Sequence, residues 1–152
     1  MSAPADTSCV FMDGPWTHRF VQANGCQFHL AHMGEHQEKR PLVILVHGYP
    51  EYWWAWRHQL EPIAQAGYEV VAIDQRGIAG SDKTPEGVDS LTLSHDICAI
   101  ARSLGASRSF VVGLGRGGAL AWATPAIAPG LVEGIVTFSA PHTRTLQRVG
   151  TH

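Results

Sequence analysis

Four glycines fall within six residues, Gly113-Leu114-Gly115-Arg116-Gly117-Gly118, between an apolar run (Phe110 to Val112) and a helix-like run (Ala119 to Ala128). A strand that turns sharply into a helix through closely spaced glycines can do two kinds of chemistry. It can cradle a phosphate on backbone N–H groups. It can also be a nucleophile elbow, in which small neighbours let one strained residue project above the sheet. In an elbow the projecting residue is Gly115, which has no side chain to attack with. A second candidate is His47-Gly48-Tyr49-Pro50, a small turn directly after the apolar run Leu42 to Val46. Free N–H groups in such a turn suit an oxyanion hole, where rigid donors face developing negative charge. The same four residues also read as an ordinary tight turn. The third candidate is the glycine-containing turn Asp74 to Asp82.

Gly113, Gly115 and Gly118 spell G-x-G-x-x-G, and Glu133 follows Gly113 by 20 residues. On paper this is a dinucleotide fingerprint. Its placement argues otherwise: a ribose-binding acid caps the end of the next strand, whereas Glu133 precedes the run Ile135 to Phe138. Among the nine histidines only His29, His32 and His36 lie close together. On a strand, His29 and His32 fall on opposite faces, so no metal site is expected. His142 reads as a polar linker residue.

The elements that must position these turns follow from periodicity. Residues 1–13 carry no pattern and are expected to be a loose tail. Thr17 to Gln22 and Gln27 to Met33 flank Asn24-Gly25, a strong hairpin signal. Leu42 to Val46 and Glu69 to Ile73 are short apolar runs, as expected of parallel strands covered on both faces. Leu60, Ile63 and Ala64 follow the aromatics Tyr52, Trp53, Trp54 and Trp56 at helical spacing, with a helix stop at Gly67. Leu93, Ile97, Ile100 and Leu104 mark one face of an amphipathic helix. Ser107 to Val112 and Gly134 to Ser139 complete the strands, and Pro125 is expected to kink or shorten the helix Ala119 to Ala128. Alternating strands and helices predict an α/β fold, a predominantly parallel sheet with helices on both faces, preceded by a β-hairpin. The segment 14–152 reads as one domain.

Composition sets the outer bounds. Of 152 residues 45% are apolar and 16% charged, with a formal net charge of −2. Lysine and arginine are scattered, so no nucleic-acid partner is expected. The longest apolar run is too short to span a membrane, and the first residues lack the order of a secretion signal. Cys9, Cys26 and Cys98 are odd in number and widely spaced, as in the reduced thiols of a cytoplasmic protein. No cofactor is expected.

Three segments together, LVILVHGYPEYWWAWR (Leu42 to Arg57), DQRGIAGSDK (Asp74 to Lys83) and VVGLGRGGALAW (Val111 to Trp122), resemble the amino-terminal half of the α/β-hydrolase fold. The likeness is closest to the branch of epoxide hydrolases, haloalkane dehalogenases and haloacetate dehalogenases. It runs from about Trp16 to His142. It implies that His47, Gly48, Tyr49 and Pro50 form the oxyanion-hole turn, with the Tyr49 N–H as one donor and the Arg116 N–H as the second. It implies that Asp74 to Asp82 is a structural signature, in which Ala79 replaces a usual glycine. Tyr49, Trp54 and Arg116 are then the residues expected against a small-molecule substrate. Arg116 followed by two glycines is most like the haloacetate dehalogenases, but Ala119 stands where those enzymes offer a second arginine.

This branch attacks with an aspartate, and the matching position is Gly115. In this fold the acid and base follow the nucleophile in chain order, so the 152 residues are expected to lack them, along with the lid and later strands. The resemblance therefore implies an epoxide- or carbon–halogen-hydrolysing family and an impaired, truncated member of it. The alternative is a non-catalytic remnant or a module binding a small molecule or a protein. The last strand becomes an open edge, and a homodimer or pairing with another chain through that edge is expected.

Overall fold

The computed structural model describes residues 6–142, with 144 and 145. Hairpin strands β1 (Thr17–Ala23) and β2 (Cys26–Met33) meet at Asn24 and Gly25, both with positive φ. After β3 (Leu42–Val46), a 3-10 turn over Trp53–Trp56 leads into α1 (Arg57–Gln65) and β4 (Val70–Ile73). The rest is α2 (Ser90–Ser103), β5 (Ser109–Leu114), α3 (Arg116–Ala121), α4 (Thr124–Ile127) and β6 (Val132–Phe138).

The six strands form one sheet in the order β1-β2-β4-β3-β5-β6. The last four positions in that order are parallel, and the hairpin adds to them antiparallel through β2 and β4. In register, Val46 lies beside Ile73 and Gly113, and Leu114 beside Phe138. The carboxyl ends of four parallel strands thus come to one edge, where ligands bind in open α/β sheets.

The core has two layers. On one face, Phe28, Ile44, Val46, Ile73 and Val111 pack with Leu93, Ile97 and Ile100 of α2 and Leu120 of α3. On the other, Val43, Leu45 and Ala72 pack with Trp53, Trp56 and Leu60. α2 begins cleanly because the Asp89 carboxylate accepts from both the Thr92 N–H and the Thr92 hydroxyl, an N-cap that satisfies an orphan amide. No helix among the described residues is long and apolar enough to cross a membrane.

At the end of the segment 1–13, Val10 O accepts from Trp53 Nε1 at 2.8 Å, and the Phe11 ring sits 4.8 Å from that of His29. As expected near Pro125, the helical run Ala119 to Ala128 is interrupted: two helices part at Trp122-Ala123, with Pro125 in the first turn of α4, where a missing N–H costs nothing. β5 runs two residues beyond Val112, so Gly113 is still strand.

Candidate active site

Gly115 lies between β5 and α3 with φ 53° and ψ −117°, a conformation costly for any residue with a β-carbon. Its N–H donates to Phe138 O at 2.8 Å, tying the turn to β6. The surrounding glycines are there for space. A β-carbon at Gly113 would lie 2.3 Å from Gly117 O, one at Gly117 2.3 Å from Val46 O, and one at Gly118 2.6 Å from the Ala140 side chain. Gly115 differs: a β-carbon there would meet nothing nearer than Gly48 Cα at 4.0 Å. The turn is therefore crowded at three glycines, by backbone at Gly113 and Gly117 and first by the Ala140 side chain at Gly118, and has room for a β-carbon at Gly115. That is the geometry of a nucleophile elbow, with the side-chain direction free.

The turn after β3 stands opposite. Gly48 lies so close to Leu114 O that its own β-carbon would sit 3.2 Å from it. His47 is 1% exposed and fixes this turn. Its Nδ1–H donates to Gly48 O at 2.7 Å, and its Nε2 accepts from Gln75 N–H at 3.2 Å. Gln75 Nε2 closes the ring of contacts on His47 O at 2.6 Å. Burial holds the His47 imidazole below its ordinary value, against the opposing pull of the Gly48 carbonyl, Asp74 and Glu51. With both ring nitrogens engaged, His47 has no free lone pair or proton to offer a substrate. It is a positioning residue.

Tyr49 and Arg116 adjoin Gly48 and Gly115 in the chain, while their side chains and that of Trp54 make other contacts or face solvent. Tyr49 is 73% exposed, with a cis bond to Pro50. The Arg116 guanidinium donates to Val88 O at 3.0 Å. Trp54 packs edge-on against Trp16 and Trp53, with the Arg57 guanidinium 4.9 Å over its ring. These contacts hold Trp54 in the aromatic cluster of α1, and none of them joins it to Gly115.

A polar chain that sequence reasoning passed over lies beneath the site. Asp74 Oδ2 is 2.7 Å from His29 Nδ1, His29 Nε2 is 2.8 Å from His18 Nδ1, and His18 Nε2 donates to Met12 O. Asp74 also accepts from Trp53 N–H and Gly80 N–H. One carboxylate thus joins β4, β2, the tryptophan turn and the loop after β4. The signal was the hairpin register: His18 pairs with Ala31 and Phe20 with His29, which makes the two histidines diagonal neighbours on one face. His32 faces away and meets Glu69 instead, as alternation requires. Among the described residues no cluster suits a metal ion.

Comparison with known proteins agrees with this geometry. A family model described as "alpha/beta hydrolase fold" matches residues 41–150. The chain belongs to the α/β-hydrolase fold family. Within it the likeness is to epoxide hydrolases. Epoxide hydrolase B of Mycobacterium tuberculosis is 38% identical over 126 residues, covering 82% of this chain and 35% of that protein. An AB hydrolase superfamily protein of Bacillus subtilis is 39% identical over 134 residues, 86% of this chain and 46% of the relative. The epoxide hydrolase from an endophytic Streptomyces superposes with a TM-score of 0.78 at 32% identity, over 92% of this chain and 44% of that one. The Vigna radiata enzyme gives 0.78 at 32% over 84% and 39%. This α/β-hydrolase chain spans less than half the length of these relatives.

Proposed function

We propose that this chain is an epoxide-hydrolase-like α/β-hydrolase in which the covalent step has been lost and a small-molecule binding site kept. The observation that carries the reading is Gly115: an elbow whose projecting direction is open and whose projecting residue has no nucleophile. In the branch resembled, an aspartate carboxylate attacks carbon and opens the C–O or carbon–halogen bond. Water then cleaves the resulting ester and regenerates the carboxylate. Glycine can form no such ester. Loss of a nucleophile in a comparable hydrolytic site costs on the order of 10⁴ to 10⁶ in turnover. The Tyr49 and Arg116 amides are the donors we assign to an oxyanion or a bound polar group. Arg116 followed by Gly117 and Gly118 favours an acidic substrate of the haloacetate type, but its guanidinium is engaged with Val88 O. We favour the epoxide-type ligand for that reason.

The thiols support a cytoplasmic protein: Cys9, Cys26 and Cys98 are all free, and burial pushes the Cys98 thiol up. Incubation of the purified chain with styrene oxide, p-nitrophenyl acetate and fluoroacetate tests the proposal. Product formation at the uncatalysed rate is expected for all three. Turnover that survives purification and vanishes in Arg116→Pro, which removes the amide donor, would overturn it.

A further inference from the structure

The polar chain beneath the site has one contact too many for two neutral imidazoles. It runs from the Asp74 carboxylate through His29 and His18 to the carbonyl of Met12, with successive separations of 2.7, 2.8 and 2.9 Å. Both ends accept. Met12 O also takes the Trp16 Nε1–H at 2.8 Å, and the Asp74 oxygens take the Trp53 and Gly80 N–H groups, donors that favour the ionised carboxylate. The two ends therefore require one proton on His29 Nδ1 and another on His18 Nε2. A neutral imidazole carries a single N–H, so those two exhaust the supply. His29 Nε2 and His18 Nδ1 would then face each other at 2.8 Å as two bare lone pairs. A third proton between them satisfies every contact.

The surroundings suit the cation this makes. The rings of Phe11 and Phe20 lie 4.8 and 5.4 Å from that of His29, and the Trp53 ring 5.2 Å from that of His18, within the ~6 Å over which an aromatic ring attracts a cation. Asp74 and His29 are fully buried, so the third proton gives the carboxylate a partner of opposite charge. His18 is half-buried and opens the chain to solvent. Within electrostatic reach of Asp74 stand His47 in the turn after β3, Tyr52 ahead of the tryptophan turn, and Lys83 in the loop after β4, with Cys9 beside Tyr52. Asp13 and Arg19, the charged chain neighbours of Met12 and His18, are exposed.

We propose that Asp74, His29 and His18 form a proton-operated latch on the amino-terminal segment. With the third proton bound, Val10 to Met12 are fastened across the hairpin; when it leaves at rising pH, they loosen. Without it one contact must fail. If His18 takes its other tautomer, it donates to His29 and turns a lone pair toward Met12 O, so the break falls at the outermost contact, nearest to water. The bonds from Trp16 to Met12 O and from Trp53 to Val10 O remain, so the segment loosens and does not detach. Above pH ~6.5, where unfolded histidines are mostly neutral, folding takes up this proton, so the latch stabilises less as pH rises. That is the opposite direction to a histidine buried neutral.

Two measurements on the full chain test the latch. Nitrogen-15 spectra of the histidine rings count their protons: His18 and His29 together should hold three at neutral pH and two at alkaline pH. Chymotrypsin cleavage after Phe11 should be at least about fivefold faster at the alkaline pH, the shift expected from losing one hydrogen bond, after correction by an unstructured peptide of the same sequence. His18→Gln offers an amide donor and acceptor that do not titrate, and should bring that ratio close to one. Two ring protons at neutral pH overturn the proposal, and this count is read on the parent whatever the variant does. A cleavage ratio that His18→Gln leaves unchanged overturns it as well.

Discussion

A β-carbon placed on Gly115 would lie 4.0 Å from Gly48 Cα, an ordinary van der Waals distance, with no heavy atom beyond its chain neighbours nearer. The turn thus has room for a β-carbon at this position. Gly115→Asp is expected to fold, at a cost of ~1–3 kcal/mol for placing a side chain at positive φ. Gly117→Ala, whose β-carbon would meet Val46 O at 2.3 Å, is expected to cost more than that or to prevent folding. Urea denaturation of both variants beside the parent checks the order, and equal losses would show the two positions to be equally crowded.

Asp74 is the polar joint of the fold. Asp74→Ala strips the acceptor from Trp53 N–H and Gly80 N–H and removes the partner of His29 Nδ1. Each buried donor left unsatisfied costs ~1–3 kcal/mol, and several lose their acceptor at once. For a domain of ordinary marginal stability that is close to the whole, so mostly insoluble or unfolded protein is expected by near-ultraviolet circular dichroism. His18→Phe, at the outer end of the chain of contacts, should cost markedly less.

Stability should depend on pH through His47. Burial depresses its folded-state pKa, so the unfolded chain, titrating near ~6.5, binds more protons between the two values. Stability is then intact above pH ~6.5 and falls as pH drops toward the folded value, by at most ~1.4 kcal/mol per pH unit. Denaturation of parent and His47→Asn at a series of pH values below 7 isolates this from the other histidines. The variant should be less stable at pH 7.5 and lose less on acidification; parallel curves would refute the assignment.

Trp53 and Trp56 are neighbours with opposite debts. Trp53 Nε1 donates to Val10 O, whereas Trp56 Nε1 is buried without a partner. Trp53→Phe is expected to destabilise by ~1–3 kcal/mol, the penalty of an orphaned buried group. Trp56→Phe removes an unsatisfied donor and should be neutral or slightly stabilising. Thermal melts of the pair decide it.

Much of this was legible from residue order alone. β3 and α2 declared themselves because an unbroken apolar run and a four-three-four spacing each suit one environment. The sharp turn after β5 was legible because closely spaced glycines report crowding, and a β-carbon at Gly113, Gly117 or Gly118 would clash. What escaped depends on contacts between distant residues. Gln75 locks His47 from the next strand, and nothing local to either residue says so. His18 and His29 needed the hairpin register before they could be joined to Asp74. The packing of Trp54 against Trp16 joins residues 38 apart in sequence, which nothing local to either shows.

The strand order also has a consequence for synthesis on the ribosome. β3 lies between β4 and β5, both made after it, and the hairpin docks through bonds from His29 to Asp74 and from Gln27 to Asp82, 45 and 55 residues apart. Such long-range closures slow folding, and a waiting apolar strand invites wrong partners. The hairpin can zip as soon as it emerges, but it has no sheet to join until the loop around Ser81 has left the exit tunnel. The amino-terminal hairpin is made early and installed late.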